Sequence, residues 1–155
     1  MIPEGEERGK WIALLRGLSF FQDFSDGDLD MLVATGAVSR FVLHDYIIRE
    51  GETDKSFFVV LKGKVKIIKK CSFNRKKELW PLETGECFGE IGFLTKSPRT
   101  ASVLASEESY LFEIKDAGVE AMPPAMREKL YHRIALSLAE KLKSTTDLAV
   151  GPYFI

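Results

Sequence analysis

The chain has 155 residues, of which 45% are hydrophobic and 29% charged, a composition typical of one globular domain with its own core. Its formal net charge of −1 creates no global positive field for nucleic acid or an anionic membrane, and no apolar run reaches the ~18 residues of a membrane span. The acidic N-terminus lacks the pattern of a signal peptide, and Cys71 and Cys87 form no disulfide framework or zinc spacing, which favours reduced thiols in a cytoplasmic protein.

Residues 1–37 are predicted to form a helical segment. Apolar residues recur at helical spacing over residues 6–16, and Gly17 follows as a helix-ending glycine. A second helix is predicted after Ser25, whose hydroxyl would accept from the first-turn backbone while Asp28 completes a capping box. Both helices precede a change of period in the sequence.

Residues 38–114 are predicted to be rich in short strands. Runs of β-branched and aromatic residues alternate there with turn residues, and Gly51 and Gly63 fall in turns that need positive φ. Many short strands at near-regular spacing indicate a sandwich, barrel or jelly roll rather than a parallel sheet. The predicted strands are residues 38–43, 46–49, 57–61, 64–69, 100–105 and 109–114.

A basic stretch interrupts this region at residues 69–77, which hold five bases, no acid and one aromatic side chain. One interpretation is a contact with nucleic acid or an acidic partner. The other is a solvated hairpin tip whose lysines protect a sheet edge. The second is favoured because one loop offers few phosphate contacts, so no direct DNA binding is expected.

The chemistry of the chain is concentrated at residues 88–101. Gly89 and Gly92 permit close approach of the backbone and allow amide groups to turn toward an anion. Arg99 carries a planar fork of donors that fits phosphate oxygens, and Glu90 is an acceptor that suits a sugar hydroxyl. These residue types indicate a nucleotide pocket; the alternative is that Glu90 and Arg99 pair with each other and pin a loop.

The run FGEIGFLTKSPRTA resembles the phosphate-binding cassette of cyclic nucleotide-binding domains, which occur in protein kinase A regulatory subunits, the catabolite gene activator and cyclic-nucleotide-regulated channels. The resemblance extends over roughly residues 15–142. It implies that Glu90 holds the ribose 2′-hydroxyl and Arg99 the cyclic phosphate, with the amides of Gly92 and Thr100 also reaching the phosphate. The ligand-binding residues that it implies are Phe88, Gly89, Glu90, Ile91, Gly92, Arg99, Thr100 and Ala101.

The resemblance also implies the fold class. We expect a mainly β protein, a double-stranded β-helix (jelly roll or β-roll) with N-terminal helices and two C-terminal helices. Residues 38–114 would form the roll, with the cassette at residues 88–101, and residues 115–148 would form the hinge and lid helices. Residues 149–155 are an apolar tail, either a frayed end, which is favoured, or a lid that stacks Tyr153 or Phe154 on the base.

The last helix is predicted over about residues 124–146, after a short helix that ends before Pro123-Pro124. A four-residue step drifts around a helix. The first residues of the apolar stripe are therefore expected to pack on the body of the domain and the later ones on a second copy of the chain, which predicts a homodimer through this helix. The stripe consists of Met126, Leu130, Ile134, Leu138 and Leu142.

These observations predict a regulatory module for signal transduction that binds a cyclic nucleotide, with cAMP preferred over cGMP. The last two helices would move about a hinge near residues 121–124, and an effector protein on another chain would sense the change, since few residues follow the last helix. The alternative is a ligand-free β-roll that serves interaction or oligomerisation.

A metal-dependent enzyme on a similar roll is disfavoured. Its metal site needs clustered histidine and carboxylate ligands, whereas His44 and His132 lie 88 positions apart. No arrangement typical of nucleophilic catalysis stands out either. We therefore expect no catalytic residues, no metal, no cofactor besides the regulatory ligand, and no membrane contact.

Overall fold

The computed structural model describes residues 5–147. The helices are α1 (Glu6–Arg16), α2 (Asp26–Thr35), α3 (Glu90–Thr95), α4 (Asp116–Glu120) and α5 (Pro124–Asp147). The strands are β1 (Ala37–Phe41), β2 (Tyr46–Ile48), β3 (Ser56–Lys62), β4 (Lys64–Lys70), β5 (Lys76–Glu83), β6 (Cys87–Phe88), β7 (Ser102–Ala105) and β8 (Ser109–Lys115). None of the helices described is long and apolar enough to cross a bilayer.

The strands form two four-stranded sheets, and the strand pairs within them are antiparallel. The strand order is β1-β8-β3-β6 in one sheet and β2-β7-β4-β5 in the other. Apolar side chains from both sheets, among them Val60, Ile67, Leu82 and Val103, form one buried cluster between them. The mainly β roll with helices at both ends confirms the predicted fold class.

Strand β3 is buried on both faces, which explains its unbroken apolar sequence. Phe57, Val59 and Leu61 point into a second core that the helices cover. Phe58 and Val60 point the other way, into the core between the sheets. β3 is therefore the wall that separates the two cores.

The N-terminal helices begin and pack as their sequences predict. The Ser25 hydroxyl accepts from the Asp28 amide at 3.1 Å, and the Asp28 carboxylate accepts from the Ser25 amide at 2.9 Å, which confirms the capping box. Leu29 and Leu32 of α2 are fully buried in the helical core. The Asp28 carboxylate also accepts from Lys129 of α5 at 2.7 Å, so α2 and α5 are joined here.

The apolar stripe of α5 leaves the core as the helix proceeds. Met126, Leu130 and Ile134 are buried, Leu138 is partly buried, and Leu142 is 45% exposed. This sequence of exposures confirms the predicted drift of a four-residue step around a helix. The tail with Tyr153 and Phe154 lies outside the described residues.

Three predicted strands are shorter than expected: β2 ends one residue early, at Ile48, and two others each lack two of their predicted residues. Residues 42 and 43 form a turn instead of continuing β1, because the Asp45 carboxylate accepts from the Val42 amide at 2.8 Å. Thr100 and Ala101 precede β7 rather than opening it. The reason is that the backbone at Arg99 bonds to the turn between β2 and β3, through the carbonyl of Glu52 at 2.7 Å and the amide of Gly51 at 2.8 Å.

Candidate functional site

The cassette is organised around a left-handed turn at Gly89. The chain leaves β6 at Phe88, Gly89 adopts φ 85°, and α3 begins at Glu90. A Cβ atom built on Gly89 or on Gly92 would lie 3.0 Å from Nη1 of Arg99, too close for ordinary packing. Gly89 also has a positive φ that a larger residue rarely adopts, and the missing Cβ at both glycines leaves the guanidinium room to lie against the backbone.

Arg99 points inward, and its side chain is only 3% exposed. Nη1 donates to the Gly89 carbonyl at 2.8 Å, while Nη2 donates to the Ser56 carbonyl and to the Asp54 carboxylate at 2.9 Å. Nε is buried and has no hydrogen-bond partner among residues 5–147. The cation is thus fixed by three acceptors, and its Nε donor is left without one among the described residues.

Asp54 is the carboxylate that orients this guanidinium. Partial burial acts to raise its pKa, but hydrogen bonds from Arg99 and Ser56 outweigh that effect and hold the pKa below its ordinary value. Asp54 is therefore ionised at neutral pH and keeps the pair intact.

Glu90 is 99% buried, and its partner is not Arg99. Lys141 of α5 donates to Oε1 of Glu90 and to the Cys87 carbonyl. The same carboxylate oxygen lies 3.6 Å from the Cys87 thiol, which in turn lies 3.1 Å from the Ser137 hydroxyl. The pairing of Glu90 with Arg99, proposed for a ligand-free loop, is wrong in this structure.

The Cys87 thiol is buried beneath α5. Burial, followed by the negative charge of Glu90, raises the pKa of this thiol to about 12. The thiol is therefore neutral at physiological pH and donates to the Glu90 carboxylate. Cys71, in contrast, is exposed.

The other predicted site residues surround these charges. Phe88 is buried and stacks on Phe58 with ring centroids 5.2 Å apart, while Ala101 is buried in the same core. Ile91 is half-buried on α3. The half-buried Thr100 offers its carbonyl to the Lys69 ammonium of β4, which links the neighbouring strand to the cassette.

Sequence reasoning missed four residues that contact the predicted pair. Asp54 lies in the turn before β3, Ser56 is the first residue of β3, Cys87 is the first residue of β6, and Lys141 lies more than forty positions downstream on α5. Their contacts depend on strand pairing and on the docking of α5, so no local pattern marks them. The sequence predicts only the contiguous cassette motif of residues 88–101, not the distant residues that contact it.

A cavity of about 480 Å³ lies between α5 and the turn that joins β5 to β6, and neither Glu90 nor Arg99 lines it. Cys87 and Lys141, both in contact with Glu90, line it together with Leu82 and Ser137. The cavity is thus separated from the buried carboxylate by the contacts that α5 makes.

The chain is similar to known proteins both in sequence and in fold. A sequence model described as cyclic nucleotide-binding domain matches residues 38–122. The chain is 32% identical over 126 residues to a cGMP-dependent protein kinase of Toxoplasma gondii. The aligned region covers 80% of this chain and 12% of that protein. The chain therefore spans about an eighth of the length of that relative.

Two solved structures share the fold. A cyclic nucleotide-binding domain from Methylobacillus flagellatus superposes with a TM-score of 0.80 at 18% identity, covering 96% of this chain and 86% of that one. The regulatory domain of Toxoplasma gondii protein kinase A, crystallised with cAMP, gives a TM-score of 0.71 at 18% identity, covering 83% and 50%.

Proposed function

Because the chain belongs to the cyclic nucleotide-binding domain family, we propose that it is a regulatory module that binds a cyclic nucleotide at Arg99 and Glu90. The observation that supports this most is the buried Arg99 guanidinium, which lies against Gly89 and Gly92 with Nε lacking a partner among the described residues. An unpaired buried donor is costly, and a phosphate oxygen would satisfy it with a charge-assisted hydrogen bond.

The remaining cassette residues fit this role by their chemistry. Glu90 supplies an acceptor for the ribose hydroxyl, and the amides of Gly92 and Thr100 are the backbone donors proposed for the phosphate. Phe88, Ile91 and Ala101 would shape the apolar surroundings of the ligand. Gly89 provides the left-handed turn that brings these groups together.

The Glu90–Lys141 ion pair suggests how binding is transmitted. A ribose hydroxyl at Glu90 would bind the carboxylate whose Oε1 Lys141 already holds, so the ligand and α5 would share one side chain. A ligand shifts a conformational equilibrium only when it binds the two states unequally, and a shared side chain whose surroundings depend on α5 would supply such a difference. We propose that the shift repositions α5 and is sensed by an effector protein on another chain.

Calorimetric titration with cAMP and cGMP tests the proposal. The wild type should bind at least one of them, and Arg99→Lys should weaken binding about tenfold or more, because the charge stays while one charged hydrogen bond is lost. Arg99→Ala should lose more, although it also leaves the carbonyls of Gly89 and Ser56 without their donor. Unfolding by urea shows that each variant is folded.

Arg40→Ala is the matched control, since Arg40 pairs with Glu108 at 2.8 Å on β1, outside the cassette. Its affinity should equal that of the wild type. Equal affinity of the wild type and Arg99→Lys would refute the assignment of the phosphate to Arg99.

The preference for cAMP over cGMP stays a prediction that Thr100 allows us to test. A hydroxyl at position 100 can reach the amino group of a syn guanine, so Thr100→Ala should weaken cGMP binding and leave cAMP binding unchanged. The named relatives include a cGMP-dependent kinase and a kinase regulatory domain crystallised with cAMP, so both nucleotides belong in the titration. Loss of affinity for both would mean that the side chain serves the phosphate or the fold instead.

A ligand-free interaction domain is the second candidate, and the Glu90–Lys141 pair favours it, because the acceptor proposed for ribose already has a partner. Failure of both nucleotides to bind at millimolar concentration would select this function. An effector partner, a homodimer through α5, a cytoplasmic location and the expectation that the domain catalyses no reaction stay predictions.

A further inference from the structure

The hairpin between β4 and β5 carries a feature that nucleotide binding does not use. We propose that its tip, residues 69–77 and here termed the basic hairpin, docks on the anionic headgroup layer of a lipid bilayer. The proposal rests on an exposed aromatic side chain, on the five bases without an acid in residues 69–77 and on the narrow shape of the tip.

Phe73 is the exposed aromatic residue, with 94% of its surface in solvent. Its backbone φ of 64° lies in the left-handed region, which a bulky side chain rarely adopts. The tip is nevertheless closed, because the Cys71 amide donates to the Arg75 carbonyl at 2.6 Å. The backbone therefore holds a large apolar side chain outward at some cost.

The charges along the hairpin change from ion pairs near its base to facing lysines toward the tip. Near its base, Lys64 lies 3.3 Å from Glu83, and Lys66 lies 3.5 Å from Glu78. Beyond them lysine faces lysine across the strands, in register, at 69 opposite 77 and at 70 opposite 76. Like charges placed directly opposite each other destabilise a strand pair, and an anionic surface would remove that cost.

Polar neighbours neutralise only part of this cluster. Glu50 lies 3.7 Å from Lys69 and accepts from the backbone amide of Lys70 at 3.1 Å. Lys76 reaches the Tyr46 hydroxyl at 3.5 Å, which adds no negative charge. The exposed Arg75 adds a further cation beside Phe73.

The shape of the tip favours a bilayer over a macromolecular partner. A stable protein interface buries roughly 800 Å² on each partner, and a single-stranded nucleic acid follows a groove with successive aromatic platforms over about 4 or more nucleotides. One side chain on a narrow turn offers neither. An interfacial aromatic with flanking lysines is, however, a typical attachment to anionic headgroups.

The net charge of −1 does not oppose this inference. Charges further than about 8 Å from a surface are largely screened at physiological salt, so the local cluster decides the interaction. The expectation of no membrane contact was based on the net charge of the whole chain, whereas a bilayer at the tip would meet only the local positive charge of the basic hairpin.

Co-sedimentation of the full chain with vesicles tests the proposal. Vesicles of phosphatidylcholine with about 30% phosphatidylserine should bind the chain at low salt, with binding lost as salt is raised and absent from pure phosphatidylcholine. Because each cation near such a surface contributes about fivefold to partitioning, the triple variant Lys70→Gln, Arg75→Gln, Lys76→Gln should bind about a hundredfold more weakly. Phe73→Ser should bind about tenfold more weakly.

Two control variants make the same chemical changes elsewhere. Lys10→Gln, Lys62→Gln, Lys143→Gln removes three exposed cations from three other elements, and Leu43→Ser removes a 54% exposed apolar side chain from another turn. Both should bind like the wild type. Circular dichroism shows whether every variant is folded.

The proposal is overturned if the wild type does not bind anionic vesicles, if it binds neutral vesicles equally well, or if the basic-hairpin and control variants behave alike. Binding to a single-stranded oligonucleotide without binding to vesicles would also overturn it. None of these measurements uses a cyclic nucleotide, so their outcome is independent of the proposed function.

Discussion

Glu90 and Lys141 form a buried ion pair in which the loss of one partner should strongly lower the free energy of unfolding. The carboxylate is 1% exposed and the lysine side chain 20% exposed, so removing either partner leaves a charge in a poorly solvated place. Breaking a buried pair from one side typically costs about 3–5 kcal/mol, while removing both partners costs much less.

We therefore predict strong coupling between these two positions. Lys141→Gln should lower the free energy of unfolding by about 3 kcal/mol, and Glu90→Gln in the same chain should restore part of that loss. Urea unfolding of the two single variants and the double variant measures the coupling. Lys129→Gln, on the same helix as Lys141, serves as the control, since Lys129 pairs with Asp28 of α2, which is more accessible than Glu90. Additive effects at positions 90 and 141 would contradict the prediction.

The individual site residues were predictable only where their signal was local. The glycines, Glu90 and Arg99 form one short run whose residue types fit a single purpose, so they could be assigned from the sequence. Asp54 could not, because it reaches Arg99 only after β2, β3 and the cassette have come together. A contact across 45 positions leaves no periodic trace in the sequence.

At the scale of elements, α5 connects the N-terminal segment with the cassette. Lys129 and Arg133 pair with Asp28 and Asp23, while Ser137 and Lys141 contact Cys87 and Glu90 further along the helix. A displacement of α5 must therefore change the surroundings of the buried thiol.

Thiol reactivity should report this displacement. With its pKa raised to about 12, Cys87 is almost wholly protonated at pH 8 and should be alkylated far more slowly than the exposed Cys71. Lys141→Gln should increase the rate at Cys87 because α5 loses its hold there, and saturating cyclic nucleotide should change it at least severalfold. Mass spectrometry of labelled peptides measures both rates.

Cys71 is the internal control in this experiment, and its rate should stay constant throughout. A rate at Cys87 that does not respond to the bound nucleotide would argue against repositioning of α5. Because the nucleotide is saturating, the measured rate reports the position of α5 and does not depend on the affinity for the nucleotide.

Elements with a strong period were predicted well, and short ones were not. The apolar stripe of α5 follows from its four-residue steps, and the Ser25 capping box marks the start of α2. Helix α3 escaped prediction because six residues that include a glycine carry no helical period. β5 escaped as well, since Pro81 interrupts its apolar pattern.

At the scale of the whole molecule, β3 belongs to two cores at once. Val59 contributes to the core beneath the helices and Val60 to the core between the sheets, and both are fully buried. Neither core can lose this strand without exposing the other. The helices and the roll should therefore unfold together.

We predict that Val59→Ala and Val60→Ala each lower the free energy of unfolding by about 2 kcal/mol and leave a single transition. Far-ultraviolet circular dichroism follows the helices, and near-ultraviolet dichroism follows the packed aromatic residues. Val42→Ala, at a position 43% exposed in a turn, should have little effect. Two separated transitions would show that the cores are independent.

The fold class was accessible from the sequence because alternation of short strands is a global property of the chain. The division into two cores was not, since an apolar run such as β3 reads the same whether one or both faces are covered. Only the pairing of β3 with both β6 and β8 decides which side chains face which core.

The hydrogen bond from Lys69 to the Thr100 carbonyl joins the basic hairpin to the cassette. If both proposals hold, one lysine borders two binding events, and thermodynamic reciprocity then requires that each event alter the other's affinity by the same factor. A bilayer would in that case act as an allosteric effector of nucleotide occupancy, and the nucleotide would in turn regulate how long the protein resides at the lipid surface.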